Sequence, residues 1–243
     1  MTKFIETGHA RNVANLGKLI EYVDAYGATY NPSRIALTVA NLQVLETESK
    51  AALDTVIDKL AEYDQAVNQR HQTFADLKKR ATRIMAALRA SGTSDELLDD
   101  AKGFNRKIQG QRASKPPISS DPNSPPPVTV SVSQQSFDQL IQHLKGLLAI
   151  IKTEPNYAPN ENDLKLANLD NYVLDLLDKN NTVAAAIAAI SNARIDRDRV
   201  LYAKNTGLID VAKAVKLYVK SIFGPSSSQF GDVSGLSFTP KKP

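Results

Sequence analysis

The chain has 243 residues, no Cys and no Trp, and 30 Lys and Arg against 26 Asp and Glu, a formal net charge of +4. Without Cys there are no disulfides, thiolate nucleophiles or thiolate metal sites, and no apolar run approaches the roughly 18 residues that signal a bilayer span. The charge is spread: residues 1 to 112 carry 16 basic and 14 acidic groups and residues 134 to 224 carry 11 and 10, the pattern of solvated helix faces rather than of a polyanion-binding surface.

Residues 1 to 9 hold no strong element, and no basic start with an apolar core and small-residue cleavage site is present, so no signal peptide is expected. The compartment stays open, with the cytoplasm favoured over export. Val13, Leu16, Leu19, Ile20 and Val23 share one helical face and predict a helix from His9 or Ala10 to Tyr26, stopped at Gly27. Asn31 and Pro32 read as the cap and first turn of a second helix that buries Ile35, Val39 and Leu42. A change of apolar phase over Glu46–Lys50 predicts a kink or short turn.

The dominant signal follows. Leu53, Leu60, Val67, Phe74, Ala81 and Leu88 recur every seventh residue, with Val56, Tyr63, Arg70, Leu77 and Ile84 three further on. This is the a/d stripe of a helix packed lengthwise on others. With no Gly or Pro between Ala51 and Ser91, it predicts one helix of roughly 40 residues, about 60 Å long at 1.5 Å per residue. The alternative is a fold-back near Arg70. Ser91, Gly92, Thr93 and Ser94 form a stop and a new cap, and a short helix over Asp95–Gly103 folds Leu97 and Leu98 back; the basic stretch from Phe104 to Arg112 is ambiguous. Pro116, Pro117, Pro122, Pro125, Pro126 and Pro127 exclude a helix from the next segment and make it an extended linker. Val128, Val130 and Val132 alternate with polar residues, and with Val233–Phe238 they predict a small β-hairpin-like pairing near the linker and C-terminus. Further helices are expected over Gln135–Ile151, Asn162–Asp178 and Thr182–Phe223, the last with a bend at Gly207, before a tail rich in Ser, Gly and Pro.

An ungapped shift of 127 residues pairs Tyr30, Pro32, Leu37, Asn41 and Leu42 with Tyr157, Pro159, Leu164, Asn168 and Leu169, and Arg70 with Arg197. The later copy keeps the stripe through Ile187, Arg194, Leu201, Leu208 and Val215. The register passes through the Tyr-x-Pro turn as well as the helices, so an internal repeat is expected. The fold class is therefore all-α: elongated tandem helical bundles of three or four helices, with a first unit over 1–112, a linker over 113–133, a second unit over 134–224 and a tail over 225–243.

Chemistry is sparse. Arg70, Arg194 and Arg197 interrupt the stripes and must pair or reach water, as an interhelical polar site or an anion site. Lys78, Lys79, Arg80, Arg83 and Arg89 form a candidate basic surface, without the Gly-rich cradle or interleaved aromatics of nucleic-acid binders. His9, His71 and His143 have no second His at helical spacing, the two inward-directed Glu-x-x-His motifs of a di-metal carboxylate bundle are not present, and no nucleophile elbow or phosphate loop is found. No catalytic, cofactor or metal residue is assigned. The expectation is a noncatalytic helical scaffold or interaction protein, with a protein partner or self-association. A membrane-acting helical protein without a transmembrane helix is the alternative, and a weak nucleic-acid binder stands third.

Overall fold

Helix α1 (Thr7–Ala25) buries Val13, Leu16, Leu19, Ile20 and Val23 and stops before Gly27, whose φ of 54° is the left-handed region that glycine enters without a Cβ penalty. The structure is a computed structural model that describes residues 7–111 and 135–240, and among these every regular element is helical. Pro32 begins no helix. It lies in a non-helical stretch followed by a 3-10 turn at Ile35–Leu37, and α2 (Val39–Ala75) starts only after Thr38, whose ψ of 147° and carbonyl make it the cap. The Tyr30 hydroxyl donates to the Leu37 carbonyl at 2.7 Å and ties the turn shut.

The predicted kink at Glu46–Lys50 is absent, because α2 passes through it unbroken. Lys50 pairs with Glu46 one turn back at 2.7 Å, and Ser49 is fully buried, so the phase change marks which side is covered and not a break in the backbone. No loop opens at Arg70 either. The helix is interrupted at Asp76, which keeps αR dihedrals (φ −84°, ψ −9°) and accepts from the Arg80 amide at 2.8 Å before α3 (Leu77–Ala90). The stripe is buried at Val56, Phe74, Leu77, Ala81, Ile84 and Leu88, whereas Leu53, Leu60, Tyr63, Val67 and Arg70 are only half-buried. Ser94 then caps α4 (Asp95–Gln109), which runs through the ambiguous basic stretch and ends on Gly110 at φ 77°.

After the undescribed stretch, α5 (Phe137–Ile151) is capped by Ser136. A 3-10 turn at Asn162–Leu164 leads into α6 (Leu166–Tyr202), and the Tyr157 hydroxyl donates to Leu164 at 3.1 Å. Both 3-10 turns and both long helices are displaced by 127 positions, and α2 and α6 are each 37 residues long. Asn205, at φ 67°, and Gly207 then turn the chain into α7 (Leu208–Phe223); a Cβ on Gly207 would meet the Ala203 amide nitrogen at 2.5 Å, which only glycine avoids.

The expected β pairing fails on its C-terminal side. Val233–Phe238 forms no strand: α8 (Ser228–Ser234), capped by Ser227, takes its first two residues, and a non-helical tail follows. Val128–Val132 and the Pro-rich linker lie outside the described residues.

The chain forms two compact units, Met1–Tyr63 with Ala186–Pro243 and Asp64–Ala185. In the first, Leu16, Leu19 and Val23 of α1 pack with Leu42, Leu201, Leu208, Val215, Val219 and Val233. In the second, Leu77, Ile84 and Leu88 of α3 pack with Leu98 and Ile108 of α4, Ile141, Leu144 and Leu147 of α5, and Leu169 and Leu176 of α6. Burying each such side chain contributes about 1.5–3 kcal/mol. Helix α7 packs on α1 and on the Ile35–Leu37 turn, and α3 packs on the Asn162–Leu164 turn, so each unit joins the start of one half of the chain to the end of the other. Packing thus groups residues differently from sequence order. Both borders of the undescribed stretch belong to the second unit, where Gln135 Nε2 donates to the Lys107 carbonyl at 2.6 Å.

Candidate functional site

Arg70, in the second unit, lies with its guanidinium 4.0 Å from the Phe137 ring centroid and donates from Nη1 to Asn180 Oδ1 at 3.2 Å. Asn180 in turn donates to Asp138 Oδ1 at 2.8 Å. His71 and Phe74 meet the same ring edge-on at 5.6 and 4.7 Å. The interruption in the stripe is therefore accommodated by an aromatic face and an amide, with a carboxylate only one residue removed. Arg70 Nε is buried without a hydrogen-bond partner among the described residues.

Arg197, in the first unit, is 5% exposed and donates from Nε and Nη2 to Oδ1 of the adjacent Asp198 at 2.9 and 2.6 Å. Arg194 is half-buried one turn earlier. The two arginines matched by the shift of 127 thus occupy different compact units, Arg70 against a ring and an amide and Arg197 bonded to the carboxylate next to it in the chain.

The basic run on α3 is partly occupied. Arg80 stacks over Tyr172 at 4.1 Å, Arg83 forks onto Asp163, and Lys78 donates to the Gln109 carbonyl at 3.3 Å. The hydrogen bond from Arg83 holds Asp163 below the usual carboxylate range. Both groups face water, so solvent screens the pair and it contributes little to stability. Lys79 and Arg89 are exposed. Among the described residues no three His, Asp or Glu side chains gather to hold a metal ion, and no helix is long and apolar enough to cross a membrane. No protein family, curated protein or solved structure matches this chain.

The most organised polar constellation was not singled out from the sequence. It lies in the first unit, where α1 and α7 hold the C-terminal tail. Asn12, 1% exposed, donates from Nδ2 to the Thr239 carbonyl and accepts from the Thr239 amide, both at 2.9 Å. Asn15 donates to the Ser237 carbonyl at 2.7 Å. From α7, Lys216 donates to the carbonyls of Ser234, at 3.1 Å, and of Leu236. Burial lowers the Lys216 pKa, which the carbonyl contacts and the nearby Phe238 ring, 5.3 Å away, accompany. Leu236 and Phe238 are half-buried against the core while Ser237 and Thr239 are exposed, the period of an extended chain. The tail is extended but is no strand, and its neighbour is a set of side chains: the Asn12 carboxamide pairs with both backbone groups of Thr239.

The magnitudes place this docking near balance. Each hydrogen bond contributes about 1 kcal/mol net, whereas ordering each tail residue costs about 1–2 kcal/mol of backbone entropy. Two half-buried apolar side chains supply the remainder.

Proposed function

We propose that the chain is a noncatalytic helical protein-interaction scaffold built by internal duplication into tandem bundles, and that it engages its partner through an apolar face of α6. The observation that carries this is the exposure of Ile187 and Ile195, 53% and 63%, aligned with exposed Ala188 and Ser191 at helical spacing. The seven-residue repeat places Ile187 in the packed stripe, yet no side chain among the described residues covers it to the degree that Val183 and Ile190 are covered. A helix from a protein partner fits such a face, since Ile187 and Ile195 stand at i and i+8 of one helical stripe with the small Ser191 between them at i+4, and such a stripe interdigitates with another helix. The engagement of Arg80 and Arg83 within the chain supports ranking nucleic acid below a protein. Support for duplication comes from the matching bounds of the 3-10 turns and of α2 and α6, and from the tyrosine hydroxyl bonded to the carbonyl seven residues on in each half.

The test is capture of native partners by the intact chain, followed by in-solution cross-linking, with wild type beside the Ile187→Asp/Ile195→Asp variant. A partner cross-linked at α6 of the wild type and lost by a variant of unchanged helicity is the expected result; homotypic cross-links assign the face to self-association. Equal capture by both proteins removes α6 from the interface, and turnover abolished by one polar substitution removes the noncatalytic assignment.

A further inference from the structure

We propose that the groove between α1 and α7 is a receptor for an extended peptide, and that Gly235–Pro240 is its resident intramolecular ligand. The trans ligand is an extended segment of a partner protein with apolar side chains two residues apart and small polar residues between them. This site uses none of the α6 residues of the interaction reading above, so either can fail alone.

Three features converge on it. Asn12 and Asn15 bond main-chain groups of the tail at Ser237 and Thr239, and Lys216 bonds the carbonyls of Ser234, the last residue of α8, and of Leu236, while its ammonium lies 5.3 Å from the Phe238 ring. Recognition of that kind fixes the direction and register of a bound strand and tolerates changes of side chain, which is how extended peptides are read when main-chain hydrogen bonds supply affinity and alternate pockets supply specificity. The apolar requirement is set by the places of Leu236 and Phe238, which pack on the first unit's core. Asn12 is also an amide at 1% exposure, a position where a polar group must be satisfied. With the tail displaced, the Asn12 acceptor calls for another backbone N–H, and its donor keeps only the 3.5 Å contact with the Tyr202 hydroxyl.

The tail has the attributes of a ligand rather than of core. It follows α8 through Gly235, its apolar side chains are only half-buried, and the side chain that anchors α8 to the core, fully buried Val233, lies before it. Release of Gly235–Pro240 therefore leaves Val233 seated. The tail acts as an internal competitor: partner binding is weakened by the fraction of molecules whose groove is already filled.

The experiment uses the full chain. A fluorescein-labelled peptide Gly-Leu-Ser-Phe-Thr-Pro is titrated by anisotropy into wild type and into L236S/F238S, whose own tail is weakened. The double variant is expected to bind at least about tenfold more tightly than wild type, with unchanged helical circular dichroism. Adding Asn12→Ala to that background, or N-methylating the peptide's threonine to delete its donor, is expected to weaken binding by at least about tenfold. Equal affinity of wild type and L236S/F238S overturns the competitor role, and absence of binding by a folded double variant overturns the receptor. Loss of helicity in L236S/F238S also counts against the proposal, because a resident ligand can be weakened without unfolding its receptor. Equal binding of Gly-Ser-Ser-Ser-Thr-Pro removes the apolar specificity.

Discussion

His143 shows how one side chain couples the second unit to pH. It is 9% exposed on α5, its Nε2 has no hydrogen-bond partner among the described residues, and burial, with Lys107 of α4 adding repulsion, lowers its pKa below the ordinary 6.5. A histidine whose folded pKa is lowered binds more protons when unfolded, so stability is full above the unfolded pKa and declines as pH falls through 6.5 toward the folded value. Thermal unfolding followed from pH 7.5 to 5 is expected to show a falling midpoint, and His143→Leu should flatten that slope. A slope identical in the variant would assign the acid sensitivity to other groups.

Among elements, the two tyrosine-closed turns give a paired test. Burial pushes the Tyr157 hydroxyl up to about 12 and raises that of Tyr30 further, and each donates to a carbonyl seven residues on. Tyr30→Phe and Tyr157→Phe each remove one buried hydrogen bond, and each is expected to cost about 1–2 kcal/mol in urea unfolding. A loss confined to one variant would make the turns energetically inequivalent. These turns were legible because Tyr-x-Pro recurs at one spacing, but the start of the following helix was not. Pro32 fixes its own φ without compelling a helix, and Thr38 supplies the cap seven residues before Leu45. The stripe was legible from Phe74 to Leu88 because neighbouring helices cover it there. Periodicity reports which residues share a face and not whether anything lies against that face, so Ile187 read as buried and is exposed. The tail groove was invisible for a related reason: Asn12 and Asn15 are ordinary polar residues of a helix until the chain's last residues, more than two hundred positions away, reach them.

At the scale of the molecule, the organising feature is the exchange of ends. Helix α7 completes the core that α1 begins, and α3 completes the one that α5 and α6 share. Cleavage of the peptide chain between Gln111 and Gln135 is therefore expected to leave the two pieces associated, eluting together in native size-exclusion chromatography and separating only in denaturant. Two independently migrating folded fragments would contradict this. Expressed alone, residues 1–111 supply α1 without α7 and α3 without α5, and should lack the cooperative unfolding transition of the whole chain.

Under the duplication reading, the same exchange bears on ancestry. A polypeptide of one half's length would carry two incomplete cores and could finish both only by pairing with another copy, as domain-swapped protomers do. Its folding would rise and fall with its own abundance in the cell. Fusion of two copies replaces that dependence with a fixed local concentration set by the tether. Each half is thereby released from self-complementarity and free to diverge, while Arg70 and Arg197 keep their place in the register in two different compact units.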